Sequence, residues 1–287
     1  MEQARSTGPA ICSDVDHDGR HTGTGRIAMA SLLDNHPAHF RTGMSMRAVA
    51  LEFLGLDDGR SFDALLASIP GHRVRRLDLL DRRIGSPHAS LRDRARALMP
   101  HMDGDGRVLI MAYCSGAGLA LTLADELGAD LLAGVMLIDP QAVTLDDVTS
   151  ASANLAIKLG AADAPEVSVG DFEPWLDSLI AQYCDFHDLR DDERDLVATE
   201  LRSLYVSWLG FLSSSVAPQT IALAAPVHVV HTRDDVDLSS LLDPGTPVIR
   251  HFQPPDPRGP MGGDVVRKVL REAVDAADLH TGDSGAA

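Results

Sequence analysis

Short apolar segments that alternate with helical segments constrain the fold of this chain more than any other feature. Two of them, 107–113 and 132–138, are apolar along almost their whole length, which is typical of strands that are buried on both faces of a sheet. Further strands are predicted at 46–54, 72–79, 227–231 and 247–252, and helices at 60–69, 90–102, 119–127 and 265–277. Because strands and helices alternate, the sequence predicts an α/β fold with a mostly parallel, doubly wound sheet.

The alternation is interrupted between residues 140 and 225. Two segments of this region, 171–184 and 191–212, have the apolar periodicity of amphipathic helices. We expect a helical lid at about 145–222, over the carboxyl ends of the strands, where ligands bind in such folds. Extra packing helices are the alternative. Three aromatic residues of the lid are predicted to contact the substrate: Trp175, Tyr205 and Trp208.

Length and composition indicate one globular domain flanked by polar segments. The chain has 287 residues, of which 45% are hydrophobic and 23% are charged, and this is ample for a hydrophobic core. Residues 1–40 are predicted to form a polar, partly ordered leader, 41–277 the α/β domain, and 278–287 a disordered tail.

Charge and cysteine content limit the partners and the location that we expect. The formal net charge is -17, and a field of that sign repels nucleic acid and anionic lipid. We therefore expect no nucleic acid and no membrane partner. No apolar run is long enough to span a bilayer, the first twenty residues lack the apolar core of a signal peptide, and three cysteines cannot close a disulfide framework. A cytoplasmic location is expected, and the oligomeric state stays open.

The first forty residues contain side chains typical of metal sites, but in the wrong spacing. Asp14 begins a pattern that resembles a calcium loop, and Gly25 stands where the loop needs an acidic ligand. The histidines of the same segment lack the paired spacing of a zinc site. The sequence therefore predicts no metal and no cofactor.

The most specific motif is the segment AYCSGAG, residues 112–118, between a buried-type strand and a helix. A nucleophile elbow needs a tight strand-to-helix turn with small residues two positions before and two positions after the nucleophile. Ala112 and Gly116 satisfy this requirement for Cys114. Two positions before Ser115 stands Tyr113, which is too large. Cys114 is therefore the candidate nucleophile, and a buried structural cysteine is the alternative.

Two backbone N–H groups are predicted to stabilise the oxyanion that forms when such a nucleophile attacks a carbonyl. One belongs to Ser115, the residue after the nucleophile. The other is expected from the loop after the 46–54 strand, where Leu56 is the candidate.

These motifs give the chain a resemblance to a known family. The segment 46–277 resembles the thioesterases of the α/β-hydrolase fold that release chains in polyketide and nonribosomal-peptide assembly. The segment IPGH at 69–72, the elbow, and the segment LIDP at 137–140 follow in the order of that family. Most members have serine at the elbow, and the cysteine variant resembles a smaller group that includes the Dieckmann cyclases. The resemblance implies a Cys-His-Asp triad and an acyl or peptidyl carrier protein that delivers a thioester.

The candidate acid of the triad is Asp139. It directly follows the apolar 132–138 strand, so it should emerge at the carboxyl edge of the sheet beside Cys114. The triad acid of the thioesterases commonly lies in that place, and a turn or capping role is the non-catalytic alternative. Asp234 or Asp235, after the next predicted strand, is the alternative acid.

The histidine of the triad is the least determined member. The family places it just after the last strand, often within the sequence DHF, and His251-Phe252 matches its second part. The segment that follows is longer and richer in proline and glycine than the family pattern. His251 is the candidate base, and His231 and His280 are the alternatives. His228 alternates with His231 and is expected to face away.

The expected reaction is transfer of an acyl or peptidyl chain from a thioester onto Cys114, followed by release. Cyclisation, by Dieckmann-type carbon–carbon bond formation or by lactamisation, is expected over hydrolysis, because a thioester is more electrophilic toward carbon and nitrogen than an ester is. Two alternatives stay open. One is a hydrolytic editing (type II) thioesterase, and the other is a non-catalytic acyl-binding hydrolase fold with a degenerate triad.

Overall fold

The computed structural model describes most of the chain from residue 46 onward. The described residues are 46–54, 56, 61–67, 73–81, 84, 86–104, 106–161, 172–216, 219–233, 236–256 and 260–282. The predicted leader, 1–40, and the calcium-like pattern that begins at Asp14 lie outside them.

Six strands form one sheet in which every neighbouring pair is parallel. The strands are β1 (Arg47–Glu52), β2 (Arg73–Asp78), β3 (Val108–Tyr113), β4 (Leu132–Ile138), β5 (Val227–His231) and β6 (Val248–Phe252). Their order across the sheet is β2-β1-β3-β4-β5-β6. The strand order reverses after β2, so the sheet has a topological switch point between β1 and β3.

Helices cover both faces of the sheet. They are α1 (Asp63–Leu66), α2 (Leu91–Leu98), α3 (Ala117–Leu127), α4 (Leu145–Lys158), α5 (Glu173–Phe186), α6 (Asp191–Ser214) and α7 (Asp264–Gly282). On one face, Val266 and Leu270 of α7 belong to one apolar cluster with Met111 and Met136. Ile110, which points to the opposite face, is also fully buried, and α3 contacts β3 and β4 there. The core therefore has two layers, one on each side of the sheet.

This architecture confirms the predicted fold class. A parallel, doubly wound sheet whose central strand leads through a tight turn into a helix is the α/β-hydrolase fold. Within the described ranges, no helix combines the length and the apolar character that crossing a membrane requires.

Three helices, α4 to α6, lie between β4 and β5 and are called the helical insertion below. They share an apolar core of their own, to which Leu155 of α4, Leu176 and Ile180 of α5, and Leu209 of α6 contribute. At its carboxyl end α6 also packs against the main body, where the backbone of Gly210 lies against that of Pro87.

The first helix of the insertion, α4, has no counterpart among the predicted elements. Its sequence is rich in small and polar residues, so the apolar periodicity that marks a helix is weak. A local signal does exist: Thr144 and Asp147 form a capping box, in which each side chain accepts from the backbone N–H of the other.

The closing helix α7 is longer than predicted. It continues beyond Ala277 to Gly282, so residues 278–282 belong to the helix and not to the predicted disordered tail. The sequence AADLHT before Gly282 holds no proline or glycine that would end the helix earlier. Residues 283–287 lie outside the described part of the chain.

Candidate active site

The turn after β3 has the geometry that a nucleophile elbow requires. Cys114 has a positive φ of 51°, in the left-handed region that residues with a Cβ rarely adopt, and its side chain is buried. A Cβ built at Gly116 would lie 3.6 Å from the Cβ of Ala112. The residues two before and two after Cys114 therefore pack against each other, and both must be small.

Cys114 lies at the topological switch point, beside the loop that follows β1. Phe53 begins this loop, and its Cε2 would lie 3.9 Å from a Cβ at Gly116. Asp78 Oδ1 accepts from the N–H of Leu54 at 3.2 Å, which anchors the start of the loop. Burial raises the pKa of Asp78, and two backbone hydrogen bonds act in the opposite direction.

The two predicted oxyanion donors differ in their surroundings. The N–H of Ser115 lies in the first turn of the 3₁₀ segment Cys114–Gly116, where such groups have no acceptor within their own helix. The N–H of Leu56 donates to the carbonyl of Phe53 at 3.5 Å, which is a long hydrogen bond. Both assignments stay predictions, and Leu56 would have to exchange this bond for one to the substrate.

The sheet register aligns Cys114, Asp139 and His231 at the carboxyl edge. The residues that precede them form one paired row across β3, β4 and β5: Tyr113, Ile138 and Val230. Neighbouring strands lie about 4.8 Å apart. The backbone of Asp139 therefore lies between those of Cys114 and His231, one strand from each.

The carboxylate of Asp139 is held by Thr232. Its Oδ1 accepts from the N–H of Thr232 at 2.7 Å, and its Oδ2 accepts from the Thr232 hydroxyl at 2.9 Å. Asp139 is buried and has a positive φ of 42°. These contacts fix the end of β4 to the residue that directly follows His231.

The imidazole of His231 has a defined hydrogen-bonding pattern. Its Nδ1 lies 2.7 Å from the carbonyl oxygen of Arg233. Because a carbonyl only accepts hydrogen bonds, Nδ1 carries the hydrogen, and Nε2 of the neutral ring keeps its lone pair. The ring also contacts the ring of Phe252, with centroids 5.8 Å apart. His231 can therefore accept a proton at Nε2.

His251, the predicted base, lies one row further inside the sheet. It pairs with Val230, and its Nε2 lies 3.5 Å from Nδ1 of His228, with the two rings stacked. Burial lowers the pKa of both histidines, and Glu272 of α7 opposes the shift. Among the described residues, the hydrogen bonding of His251 leads to His228 and not to Asp139 or Cys114. The role of His251 as the base stays a prediction.

A residue that sequence reasoning missed contacts the thiol. The Cys114 Sγ lies 3.4 Å from Oε1 of Gln141, to which it donates. The backbone N–H of Gln141 donates to the carbonyl of Cys114 at 3.2 Å, and its Nε2 donates to Oδ1 of Asp147 at 3.1 Å. Position was the only available signal, since Gln141 follows Asp139 by two residues in a loop at the carboxyl edge.

The aromatic residues predicted to contact the substrate belong to the helical insertion. Trp175, Tyr205 and Trp208 are partly buried against the apolar core of the insertion. The rings of Tyr205 and Trp208 meet edge to face at 6.3 Å between centroids. Burial, with a smaller effect from Tyr183, raises the pKa of Tyr205. Contact with a substrate stays a prediction for all three.

Three of the alternative site residues lie wholly or partly outside the described part of the chain. Asp234 and Asp235 lie outside the described residues, as does the side chain of His280. Within the described part of the chain, no three histidine, cysteine or carboxylate side chains cluster as a metal site would require.

Comparisons with known proteins give no family assignment. No family model matches the sequence, and no curated protein matches it either.

Several solved structures are similar to this chain at low identity. One is the Vlm2 thioesterase domain bound with a dodecadepsipeptide, with 16% identity, a TM-score of 0.46, and coverage of 82% of this chain and 94% of that chain. Another is the type II thioesterase BorB from the borrelidin biosynthetic cluster, with 16% identity, a TM-score of 0.48, and coverage of 83% and 95%. A third is AqDC, which cleaves the ring of the Pseudomonas quinolone signal, with 18% identity, a TM-score of 0.46, and coverage of 83% and 93%. Similarities at this level assign no activity to the chain.

Proposed function

We propose that this protein takes an acyl or peptidyl chain from a carrier-protein thioester onto Cys114 and releases it as a cyclised product. One observation carries the proposal: Cys114 lies in a left-handed turn between β3 and α3, at the switch point of the sheet. This position presents a nucleophile to a ligand at the carboxyl edge. In the first step, the Cys114 sulfur bonds to the acyl carbon, the carrier C–S bond breaks, and the thiol proton ends on the released carrier thiol.

Proton transfer in this step is assigned to His231 rather than to His251. His231, like Cys114 and Asp139, directly follows the paired row of Tyr113, Ile138 and Val230, and its Nε2 keeps a lone pair. His251 lies one row inside the sheet against His228. The carbonyl of Arg233 orients the imidazole, and Asp139 acts through Thr232, the residue next to His231.

Release depends on what attacks the acyl-enzyme. Water gives a free acid, an internal amine gives a lactam, and a carbon acid between two carbonyls gives a cyclised diketone. A thioester intermediate favours attack by carbon or nitrogen, which is why cyclisation is proposed over hydrolysis. The helical insertion ends beside the site, where Phe211 of α6 contacts Phe53 edge to face at 5.0 Å. An apolar wall here would exclude water from the intermediate.

A product assay tests the proposal. The substrate is a synthetic β-ketoacyl-aminoacyl thioester, and the products are read by mass spectrometry with wild type and with Cys114→Ala. We expect a product lighter by one water than the free acid, formed only when Cys114 is present. Free acid as the sole Cys114-dependent product would overturn cyclisation and identify a hydrolytic editing thioesterase. Full activity of Cys114→Ala would overturn both readings.

A non-catalytic acyl-binding protein is the second candidate. Two observations favour it: the Cys114 thiol contacts the side-chain amide of Gln141, and His251 lies one row further inside the sheet than Cys114. In that case wild type and Cys114→Ala should bind the thioester equally well, and neither should form a product or an acyl adduct.

A further inference from the structure

A chain of hydrogen bonds runs from the Cys114 thiol into the amino-terminal turn of α4. The thiol donates to Gln141 Oε1 at 3.4 Å, and Gln141 Nε2 donates to Asp147 Oδ1 at 3.1 Å. Asp147 Oδ2 accepts from both the N–H and the hydroxyl of Thr144, at 2.8 and 2.7 Å. The two oxygens of one buried carboxylate thus serve two different tasks.

The carboxylate of Asp147 determines which way the amide of Gln141 faces. A carboxylate accepts hydrogen bonds and donates none, so the amide must present its nitrogen to Asp147. The amide oxygen is then left for the sulfur. An acceptor at this distance pairs with a thiol, which has a hydrogen to donate, and not with a thiolate, which has none. The hydrogen bond from the backbone N–H of Gln141 to the carbonyl of Cys114 holds the two residues side by side.

We propose that Gln141 is a positioning residue for Cys114, and that Asp147 fixes its amide with the oxygen toward the sulfur. In the resting protein Cys114 is therefore a protonated thiol whose hydrogen points at Gln141. Its significance for catalysis rests on the proposed function. Attack on a thioester requires that this hydrogen leave the amide oxygen of Gln141 for the base.

The substitution Asp147→Asn reverses the polarity of this chain of hydrogen bonds. The oxygen of the substituted side chain can still accept from Thr144, so the cap of α4 keeps its acceptor. The nitrogen of that side chain then donates toward Gln141, whose amide turns and presents its own N–H to the sulfur. A hydrogen-bond donor stabilises the thiolate.

The test measures how the alkylation rate of Cys114 by iodoacetamide depends on pH, with the modified peptide quantified by mass spectrometry. We expect Asp147→Asn to lower the midpoint of the profile by about one pH unit, or about tenfold in thiolate fraction below the midpoint. Asp146→Asn is the matched control, because it removes the same charge from the same helical turn at an exposed side chain. It should leave the midpoint unchanged.

A double-mutant cycle separates the amide from the simple loss of a negative charge. In a Gln141→Leu background, the proposal predicts that Asp147→Asn no longer shifts the midpoint. An equal shift in both backgrounds, or no shift in either, would overturn it. If Asp147→Asn does not fold, the S–H stretching band of Cys114, isolated by subtracting the Cys114→Ala spectrum, decides the question. The band should move to higher frequency in Gln141→Leu, and an unchanged band would overturn the proposal.

Alkylation requires no turnover, so this test is independent of the product assay. A shifted profile in Asp147→Asn together with no Cys114-dependent product would contradict the proposed function and leave the role of Gln141 intact. A Cys114-dependent product with unchanged alkylation profiles would support the proposed function and contradict the role of Gln141.

Discussion

The packing of α6 against the main body gives a prediction whose magnitude can be worked out from the structure. A Cβ at Gly210 would lie 2.3 Å from the carbonyl oxygen of Pro87 and 2.8 Å from its C and Cα atoms. These are backbone atoms, and the buried Arg94 holds them in place by donating to the carbonyls of Ser86 and Pro87 at 3.0 Å each. The next residue of α6, Phe211, contacts Phe53 beside the elbow.

The substitution Gly210→Ala should therefore destabilise the fold. To reach ordinary contact distance, the loop at Pro87 or the helix must move by about 1 Å. Overpacking costs about 1–3 kcal/mol, and a clash with fixed backbone lies at the upper end. Alanine returns about 1 kcal/mol of helix propensity. We expect a net loss of about 2 kcal/mol in the free energy of unfolding, measured by urea denaturation with an unchanged m-value.

Gly116→Ala is the matched control. Gly116 has a helical φ of -66°, and the atoms nearest to its added Cβ lie at 3.5, 3.6 and 3.9 Å, which are ordinary contacts. This variant should be neutral or up to about 1 kcal/mol more stable. If Gly210→Ala were as stable as the wild type, or if both variants lost the same amount, the reasoning from the Pro87 contact would be refuted.

Two further predictions concern the carboxyl edge and the histidine pair. Thr232→Val removes the hydroxyl that donates to Asp139 and should lower the free energy of unfolding by about 1.5–3 kcal/mol. Thr232→Ser keeps the hydroxyl and should keep the stability, so equal stability of the two variants would contradict this prediction. The pKa of His228 and that of His251 lie below the ordinary value of 6.5, so the unfolded chain binds more protons just below that pH. The free energy of unfolding should fall as the pH is lowered through about 6.5. In urea titrations at about pH 7.5 and pH 5.5, the difference between the two free energies should be smaller for His228→Gln than for the wild type. Equal differences would contradict the histidine pair as the source of the pH dependence.

The fold could be predicted because its signals are local. Apolar runs bounded by turn residues gave β4 and β5 with the bounds that the structure has. The small residues around Cys114 predicted its tight turn, because Ala112 and Gly116 lie against each other there. The helix α4 was missed because small and polar residues dominate it, although its capping box was visible in the sequence.

The candidate site was less accessible to sequence reasoning because it depends on pairing between distant segments. The pairing of β3, β4 and β5 determines which histidine follows the same row as Cys114 and Asp139. No local sequence pattern indicates how these strands pair. A sequence motif therefore favoured His251, whereas the register favours His231. Gln141 was missed for a related reason, since a glutamine in a loop has no distinctive pattern until the thiol is placed beside it.

The central claim is that Cys114 accepts an acyl group from a thioester. The most direct measurement is the intact mass of the protein after incubation with an acyl thioester, followed by peptide mapping. We predict that the mass of wild type rises by that of one acyl group, located on Cys114. Cys184→Ala, which alters a buried cysteine within the helical insertion, should be acylated like the wild type, and Cys114→Ala should not be acylated. An acyl group on another residue, or turnover that persists in Cys114→Ala, would contradict the account.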